Sequence, residues 1–304
     1  MGISFFTALL FAIHPVQVET VCWISASKIV LSTFFYLSAL ICYIQYMRNS
    51  KWQYLLASVV SSILAMGCKE QSVIIVPCLL LFDWMLFKRN MRSLKVYIEK
   101  VYYLIPAIAI FIVTLVANKD TGEEIIGYTI VDRFIFLCYS VFKYLLISAI
   151  PFKLSYLYPF PFQVGEKIPM ALWIYPFVIL FIGYVIYLNR RKPLLVFCTL
   201  FFILHLLPVL HVIPLPRYVV AADRYLYIPY IAFAIGLSIL SYHLYERQRK
   251  WILYAGFLYC SYLCIYTADY APAWKNSDTL KEHFKEVLKK RETNLSINFK
   301  HEKQ

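Results

Sequence analysis

Apolar residues occur along this chain in long runs that are separated by short polar turns. Runs of this composition are typical of membrane-spanning helices, although several are shorter than the about 20 residues that a full crossing needs. The pattern predicts an all-α, polytopic membrane bundle. The candidate spans are Gly2–Ile13, Ile29–Met47, Trp52–Met66, Ser72–Phe87, Tyr97–Ala117, Ala171–Leu188, Leu194–Leu210, Leu226–Tyr245 and Trp251–Thr267.

Short basic clusters between these runs orient the bundle, because cytoplasmic turns carry an excess of Lys and Arg. The clusters are Arg48 with Lys51, Lys88 with Arg89, Arg92 and Lys95, Arg190 with Arg191 and Lys192, and Arg247 with Arg249 and Lys250. Three apolar runs, Tyr97–Ala117, Phe134–Ile150 and Ala171–Leu188, separate the second cluster from the third, and both clusters lie on the cytoplasmic side only if one of these runs does not cross. We expect Phe134–Ile150 to lie in the outer interface, since Arg133, Lys143 and Lys153 recur along this region. The prediction is about nine spans plus one interfacial helix.

Composition supports a membrane protein and argues against two other classes. The chain of 304 residues is 61% hydrophobic and only 15% charged, which excludes an ordinary soluble domain. The net charge of +13 is spread over the turns rather than along an aromatic-lined stripe, so no nucleic-acid partner is expected. Most of the 8 cysteines lie within apolar runs. Thiols there behave as small hydrophobes, and neither disulfides nor metal thiolates are expected.

Two regions differ in character, a membrane domain over residues 1–268 and a polar, outward-facing tail over residues 269–304. Within the first, the long outward loop Asn118–Met170 is expected either to close a site or to form an interfacial aromatic belt. Within the tail, a helix is predicted behind a cap at Ser277 or Asp278. Its apolar stripe is Thr279, Leu280, His283, Phe284, Val287 and Leu288.

Polar residues outside the basic turns collect on the outward side of this topology. Arg and Lys bind phosphate oxygens, while a carboxylate can hold a metal ion or accept a proton from a hydroxyl group. We therefore expect a site for an anionic lipid headgroup, with a divalent metal ion as a candidate cofactor. The candidate residues are His14, Glu19, Lys28, Lys69, Glu70, Arg217, Asp223 and Arg224, with His205 and His211 nearby.

Each candidate also has a structural interpretation. His14 before Pro15 can end a span, Glu19 can pair with Lys28, and Asp223 can fix the start of the next span together with its neighbour. The pair Lys69–Glu70 favours function, because charges in apolar surroundings are expensive. We expect this pair to face the turn that contains His14, at a connection that stops within the outer leaflet. No zinc, P-loop, dinucleotide or serine-hydrolase spacing occurs.

Four ordered segments resemble a known family. They are HPVQVETVCWISASKIVLSTFFYLSAL, LASVVSSILAMGCKEQSVIIVPCLLLFDW, AADRYLYIPYIAF and YAPAWKNSDTLKEHF. These segments resemble the membrane domain of the transmembrane and TPR-repeat-containing O-mannosyltransferase family and its bacterial relatives, which are C-type glycosyltransferases. The resemblance covers nearly the whole chain.

The resemblance implies an enzyme that transfers a sugar, typically mannose, from a polyprenyl-phosphate donor to a protein Ser or Thr hydroxyl on the outward or lumenal face. His14 and Glu19 would border the donor site, and Lys69 with Glu70 would be the family's Lys-Glu pair. The Asp-Arg-Tyr motif would begin at Asp223 and Arg224. The expected partners are a polyprenyl-phosphate sugar, membrane lipids and a protein acceptor. We expect the bacterial inner membrane rather than the endoplasmic reticulum.

The chain also departs from this family. Family members usually have Gly, Arg, Lys and Asp where this chain has Ala26, Ser27, Lys28 and Ile29. They begin with two further spans and an acidic outward loop that bears the expected catalytic base, and TPR repeats follow the last motif. These departures predict a truncated member, a fragment or a relative without catalysis, and leave the catalytic residues unassigned. The alternatives are an inactive membrane scaffold and a lipid-linked sugar transporter, but few polar residues extend toward the cytoplasm.

Overall fold

The computed structural model of the protein describes residues 2–117, 128–152, 154–155, 158–210, 219–247, 249–282 and 285. Over these residues the chain is helical, and an isolated antiparallel bridge joins Tyr158 to Ala221. The predicted all-α class is confirmed. The α-helices are α1 (Gly2–Ile13), α2 (Val18–Cys22), α3 (Ser27–Asn49), α4 (Trp52–Cys68), α5 (Ile75–Met85), α6 (Leu94–Ala117), α7 (Ile130–Ala149), α8 (Ile174–Leu188), α9 (Pro193–Leu206), α10 (Pro229–Arg247) and α11 (Arg249–Tyr270).

Four helical stretches of the described chain are long and apolar enough to cross a bilayer. They are Ile24–Asn49, Leu94–Ala117, Met170–Leu188 and Arg249–Trp274. A fifth span results if α1 and the following Pro15–Cys22, which bend by 55° relative to each other, count as one broken crossing. Shorter apolar helices include α4 and Pro193–Val209. These helices identify a helical membrane protein, whereas the count of about nine spans stays a prediction.

Helices α3 and α4 form a close antiparallel hairpin, because small residues face each other along it. Ser58 donates a hydrogen bond of 2.7 Å to the Ala39 carbonyl, and Ser32 donates one of 2.9 Å to the Ala65 carbonyl. Small side chains let two helix backbones approach, and hydroxyl groups then bond across the contact. Tyr103 of α6 adds a third helix by donating to the Ser58 hydroxyl at 2.7 Å.

An ion cluster at the far end of this hairpin ties α3, α5 and α6 together. Asp83 is fully buried, and its carboxylate accepts hydrogen bonds from Tyr43 at 2.6 Å and contacts the Lys100 ammonium at 2.6 Å. Arg89 lies 3.3 Å from Asp83 and 2.5 Å from Glu99. Two acidic and two basic groups thus compensate each other, as buried charges require. Sequence reasoning assigned Arg89 to a cytoplasmic turn and did not predict the other members of this cluster.

Helix α7 covers the run that is expected to lie in the interface. A capping box fixes its start, since Thr129 and Asp132 exchange hydrogen bonds between their side chains and main-chain amides. One face of the helix is buried against the bundle through residues such as Phe136 and Tyr144, while Phe134 and Leu146 are exposed. Lys153 lies outside the described residues. The interfacial position of this helix therefore stays a prediction.

The helix in the polar tail has a different N-cap from the one that the sequence predicts. Helical residues 277–282 are capped by Asn276, whose side-chain oxygen accepts hydrogen bonds from the amides of Asp278 at 3.0 Å and Thr279 at 2.8 Å. The predicted cap at Ser277 or Asp278 is wrong. The reason is geometric, because an N-cap oxygen bonds the amides two and three residues further on. Of the predicted apolar stripe, the structure describes only Thr279 and Leu280.

Candidate anion-binding site

The elbow between α1 and α3, residues 14–26, consists of three short helical pieces. His14 has an extended backbone and accepts a hydrogen bond of 3.3 Å on Nδ1 from the amide of Val16, with Pro15 opening the next turn. The ring is fully buried, 4.3 Å from the Tyr230 ring. Its Nε2 has no well-aligned hydrogen bond among the described groups, although the main chain of Ser148 acts on the ring. His14 therefore follows the end of α1 and caps the short helical turn that begins at Pro15.

Glu19 forms an ion pair with Arg224, not with Lys28 as the structural interpretation of the sequence suggested. Arg224 contributes two donors to this contact. Its guanidinium lies 2.5 Å from one Glu19 oxygen, and its main-chain amide donates to the other at 2.8 Å. Glu19 is fully buried, so its charge needs such a partner. The pair joins the elbow to the turn Asp223–Leu226, which directly precedes α10. Packing brought these positions together, because they are 205 residues apart.

Two aromatic rings also lie near the Arg224 guanidinium. Its central carbon lies 5.6 Å from the centre of the Trp23 ring and 5.0 Å from that of Tyr225. Burial lowers the pKa of Arg224, but Glu19 and Tyr225 outweigh this effect and hold the pKa above its usual value. Arg224 is therefore a permanent cation held in a preset orientation.

Asp223 is the second fully buried carboxyl group of this region. Its Oδ1 accepts a hydrogen bond of 2.8 Å from the Tyr158 hydroxyl, whereas Oδ2 has no partner among the described groups. Burial raises the pKa of Asp223 well above its usual value, and the nearby Glu19 adds to this effect. The Tyr158 hydrogen bond, Lys143 and Arg224 act in the opposite direction. Sequence reasoning missed Tyr158, although it noted the Pro and aromatic stretch that contains it.

Lys69 and Glu70 lie at the turn between α4 and α5. Lys69 has an extended backbone that ends α4, and its ammonium contacts the Glu70 carboxylate directly. The Lys69 side chain is 16% exposed and that of Glu70 is 42% exposed. Partial burial raises the pKa of Glu70, but Lys69 and then the exposed Lys28 outweigh it, so that the pKa is lowered. Lys69 and Lys28 therefore both act electrostatically on the Glu70 carboxylate.

Lys69 and Arg224 both line a small cavity of ≈ 30 Å³. Lys69 enters its wall from the α4–α5 turn, and Arg224 enters from the turn before α10. Its hydrogen-bonding and ionisable side chains include Ser32, Thr33, Lys69, Gln71, Ser72, His205, Arg224, Tyr225 and Tyr227, and its apolar wall includes Ile29, Ile74, Ile228 and Pro229. The cavity thus combines cationic donors with neutral donors and apolar surface.

His205, which also lines the cavity, uses both ring nitrogens inside the protein. Nδ1 lies 2.8 Å from the Phe201 carbonyl oxygen, and Nε2 lies 2.8 Å from the Tyr36 hydroxyl. A carbonyl only accepts, so Nδ1 carries the proton, and the neutral ring then accepts from Tyr36. His205 is therefore held in one orientation. Arg217 and His211 lie outside the described residues.

Metal binding has no geometric support in the described part of the chain. No group of three or more His, Cys, Asp or Glu side chains there is arranged to hold a metal ion. Glu19 and Asp223 have cationic or hydroxyl partners instead. The expectation of a divalent metal ion stays a prediction.

The fold and these contacts define a helical membrane protein with two paired cations and two buried carboxyl groups at one end of its bundle. Comparison with protein-family models, with curated proteins and with solved structures found no match to this chain.

Proposed function

We propose that the chain is a membrane glycosyltransferase-like protein that binds a polyprenyl-phosphate sugar. It transfers the sugar, mannose by the family resemblance, to Ser or Thr hydroxyls of a protein acceptor. The observation that carries this proposal is that Lys69 and Arg224 line one cavity from two separate turns. Guanidinium and ammonium groups are the usual ligands of phosphate oxygens, and a phosphate diester offers oxygens to both.

The apolar surroundings favour a lipid-linked phosphate over a soluble one. Ile29 and Ile74 line the cavity, and the neighbouring surface of α3 exposes Val30, Leu31 and Phe34. An isoprenoid chain can leave the cavity along such a surface without entering water. A soluble phosphate compound would gain nothing from these contacts.

The neighbouring carboxylates explain how the cations remain compensated without a ligand. Glu70 pairs with Lys69, and Glu19 pairs with Arg224. A bound phosphate diester shares these cations, and Lys28 supplies further positive charge near Glu70. This arrangement keeps charged side chains in place in an otherwise apolar bundle, where unpaired charges are costly.

The transfer itself requires one bond to form and one to break. The acceptor oxygen bonds to the anomeric carbon while the bond from that carbon to the phosphate oxygen breaks, and polyprenyl phosphate leaves with the electron pair. A base takes the hydroxyl proton. We assign no residue of this chain as that base. In the proposed topology of about nine spans, the cationic end faces outward from a bacterial inner membrane.

Binding is tested with purified protein in lipid nanodiscs. Polyprenyl-phosphate mannose should bind saturably, and polyprenol of the same chain length, which lacks the phosphate, should bind much more weakly. Mannose transfer to a Ser/Thr-rich peptide is then measured with the same protein. Binding without transfer would indicate the scaffold alternative, and transbilayer movement of the lipid in vesicles would indicate the transporter. Equal affinity for both lipids contradicts the phosphate site.

A further inference from the structure

The segment that leads into Arg224, residues 219–222, precedes the short helix that begins at Asp223 and is held in place by neighbouring elements. The Val220 amide donates to the Tyr158 carbonyl at 2.9 Å, and Ser140 of α7 donates to the Val220 carbonyl at 3.2 Å. The Ala222 amide donates to the Tyr144 hydroxyl of α7 at 3.3 Å. The position of Arg224 therefore depends on α7 and on the chain around Tyr158.

Tyrosines on one face of α11 fasten this chain, which we name the strap and define as residues 150–152, 154–155 and 158–162. Tyr259 donates to the Ala149 carbonyl at 2.9 Å, immediately before the strap, and Tyr262 donates to the Pro151 carbonyl. Tyr266 accepts a hydrogen bond of 2.9 Å from the Leu154 amide. Spacings of three and four residues place these tyrosines on the same side of the helix. The strap is thus anchored on α11 and reaches Asp223 through Tyr158.

Asp223 links the strap to the candidate anion-binding site, because it accepts the Tyr158 hydrogen bond and precedes Arg224 in the chain. The ionisable groups that act on it are Glu19, Lys143, Tyr158, Arg224, Tyr266 and Tyr270. Lys143 lies over the Tyr158 ring at 5.1 Å, and Arg224 is already paired with Glu19. An ionised Asp223 therefore adds a negative charge next to the Arg224 pair, whereas a protonated Asp223 adds none.

We propose that Tyr158 is a positioning residue of the anion site, which fixes the segment carrying Arg224 and, through Asp223, sets the charge beside that cation. The inference rests on the proposed function, and its ligand is the phosphate diester of the lipid-linked sugar. Loss of the Asp223 proton lowers the local positive potential, so the affinity for the diester falls as the pH rises through the titration of Asp223. The Tyr158 hydroxyl favours the ionised form, because it donates a hydrogen bond to the carboxylate.

The test is Tyr158→Phe, which removes the hydroxyl and keeps the ring. Binding of polyprenyl-phosphate mannose in nanodiscs is measured from acidic to alkaline pH, over which the diester keeps a single negative charge. In the variant, Asp223 should stay protonated to higher pH, so the fall in affinity should shift toward alkaline pH. In Asp223→Asn this fall should disappear. Tyr128→Phe is the matched control, because its hydroxyl donates to the Phe162 carbonyl of the strap at 3.0 Å without touching Asp223.

The results separate this inference from the function on which it rests. A wild-type protein that binds no polyprenyl-phosphate mannose at any pH contradicts both. Wild-type binding that is independent of pH overturns only the role of Asp223 and Tyr158. The same conclusion follows if Tyr158→Phe leaves the profile unmoved, or if Tyr128→Phe shifts it equally. If Tyr158→Phe does not fold, Asp223→Asn is the remaining test: a flat profile supports the charge on Asp223 that Tyr158 contacts, and a profile as steep as that of the wild type overturns the inference.

Discussion

Single residues at the site are constrained mainly by the cost of burying charge. Glu19 is inaccessible to solvent, yet it accepts two hydrogen bonds from Arg224, and Lys69 contacts Glu70. Removal of one partner from a buried ion pair typically costs about 3–5 kcal/mol, because the remaining charge is left uncompensated. Glu19 and Arg224 therefore report on stability as well as on binding, and a test of binding is best made at the more exposed pair, Lys69 and Glu70.

Lys69→Met should weaken binding of polyprenyl-phosphate mannose by about 1.5–3 kcal/mol, the range for a hydrogen bond to a charged group. The methionine keeps most of the apolar length of the side chain and removes the ammonium. Binding to the nanodisc-embedded variant is measured after a thermal unfolding curve shows that it is folded. The control is Lys95→Met, since Lys95 is exposed at the start of α6 and belongs to a predicted cytoplasmic turn. Unchanged affinity in folded Lys69→Met removes this lysine from the site.

At the scale of elements, α7 matters in two ways: its position decides the predicted topology, and its side chains contact the segment before Arg224. It presents Ser140 and Tyr144 to residues 219–223 while its opposite face exposes apolar side chains such as Phe134. A helix with one face on protein and one apolar face exposed suits a position beside the bundle at the membrane surface. The parity of the basic turns predicts that both of its ends lie on the same side.

Cysteine labelling tests this position. Ile130 is 85% exposed at the start of α7, and Phe152 is 65% exposed just after its end. In separate Ile130→Cys and Phe152→Cys variants, a membrane-impermeant thiol reagent should label both positions from the outer side of intact cells. The wild-type protein gives the background, since Cys22 and Cys264 are exposed in the described chain. Labelling of the two positions from opposite sides would contradict the interfacial helix and the topology of about nine spans.

At the scale of the whole molecule, α3 joins two polar centres. Its first turns, with Ile29 and Ser32, line the anion cavity, and its later Tyr43 enters the ion cluster around Asp83. A separation of about 14 helical residues corresponds to about 20 Å along the helix axis. Direct electrostatic coupling over this distance is weak in comparison with contacts inside each centre. We therefore expect the cluster to stabilise the bundle without contributing to binding.

Asp83→Asn should lower the free energy of unfolding by about 3–5 kcal/mol, because Lys100 loses a buried counter-charge. Thermal unfolding in detergent measures this effect, and the double variant Asp83→Asn/Lys100→Met should recover part of the loss. Asp278→Asn in the exposed tail is the control and should change stability by less than about 0.5 kcal/mol. At temperatures where Asp83→Asn remains folded, it should bind the lipid as the wild type does. An unaltered unfolding temperature contradicts the stabilising role of the cluster.

The sequence by itself determined the helices, because long apolar runs have few alternatives to a helix in a membrane. The run Trp52–Met66 became α4 (Trp52–Cys68), and Ile29–Met47 lies within α3. The charges of Lys69 and Arg224 also identify both residues as candidates from the sequence alone. The elbow was less predictable, since Pro15 and the polar residues after it break the chain into pieces too short for a periodic pattern to reveal.

Only the tertiary structure decided which charges meet. Glu19 could pair with Lys28 nearby in the sequence, but helix packing placed it against Arg224 instead. From the sequence, Tyr158 belongs to a Pro and aromatic stretch that is typical of a membrane interface. In the structure, its hydroxyl donates a hydrogen bond to Asp223. Such contacts join positions far apart in the chain. Their geometry depends on how the helices pack, and local composition does not encode helix packing. The sequence therefore shows which types of residue are present, whereas the fold determines which of them are partners.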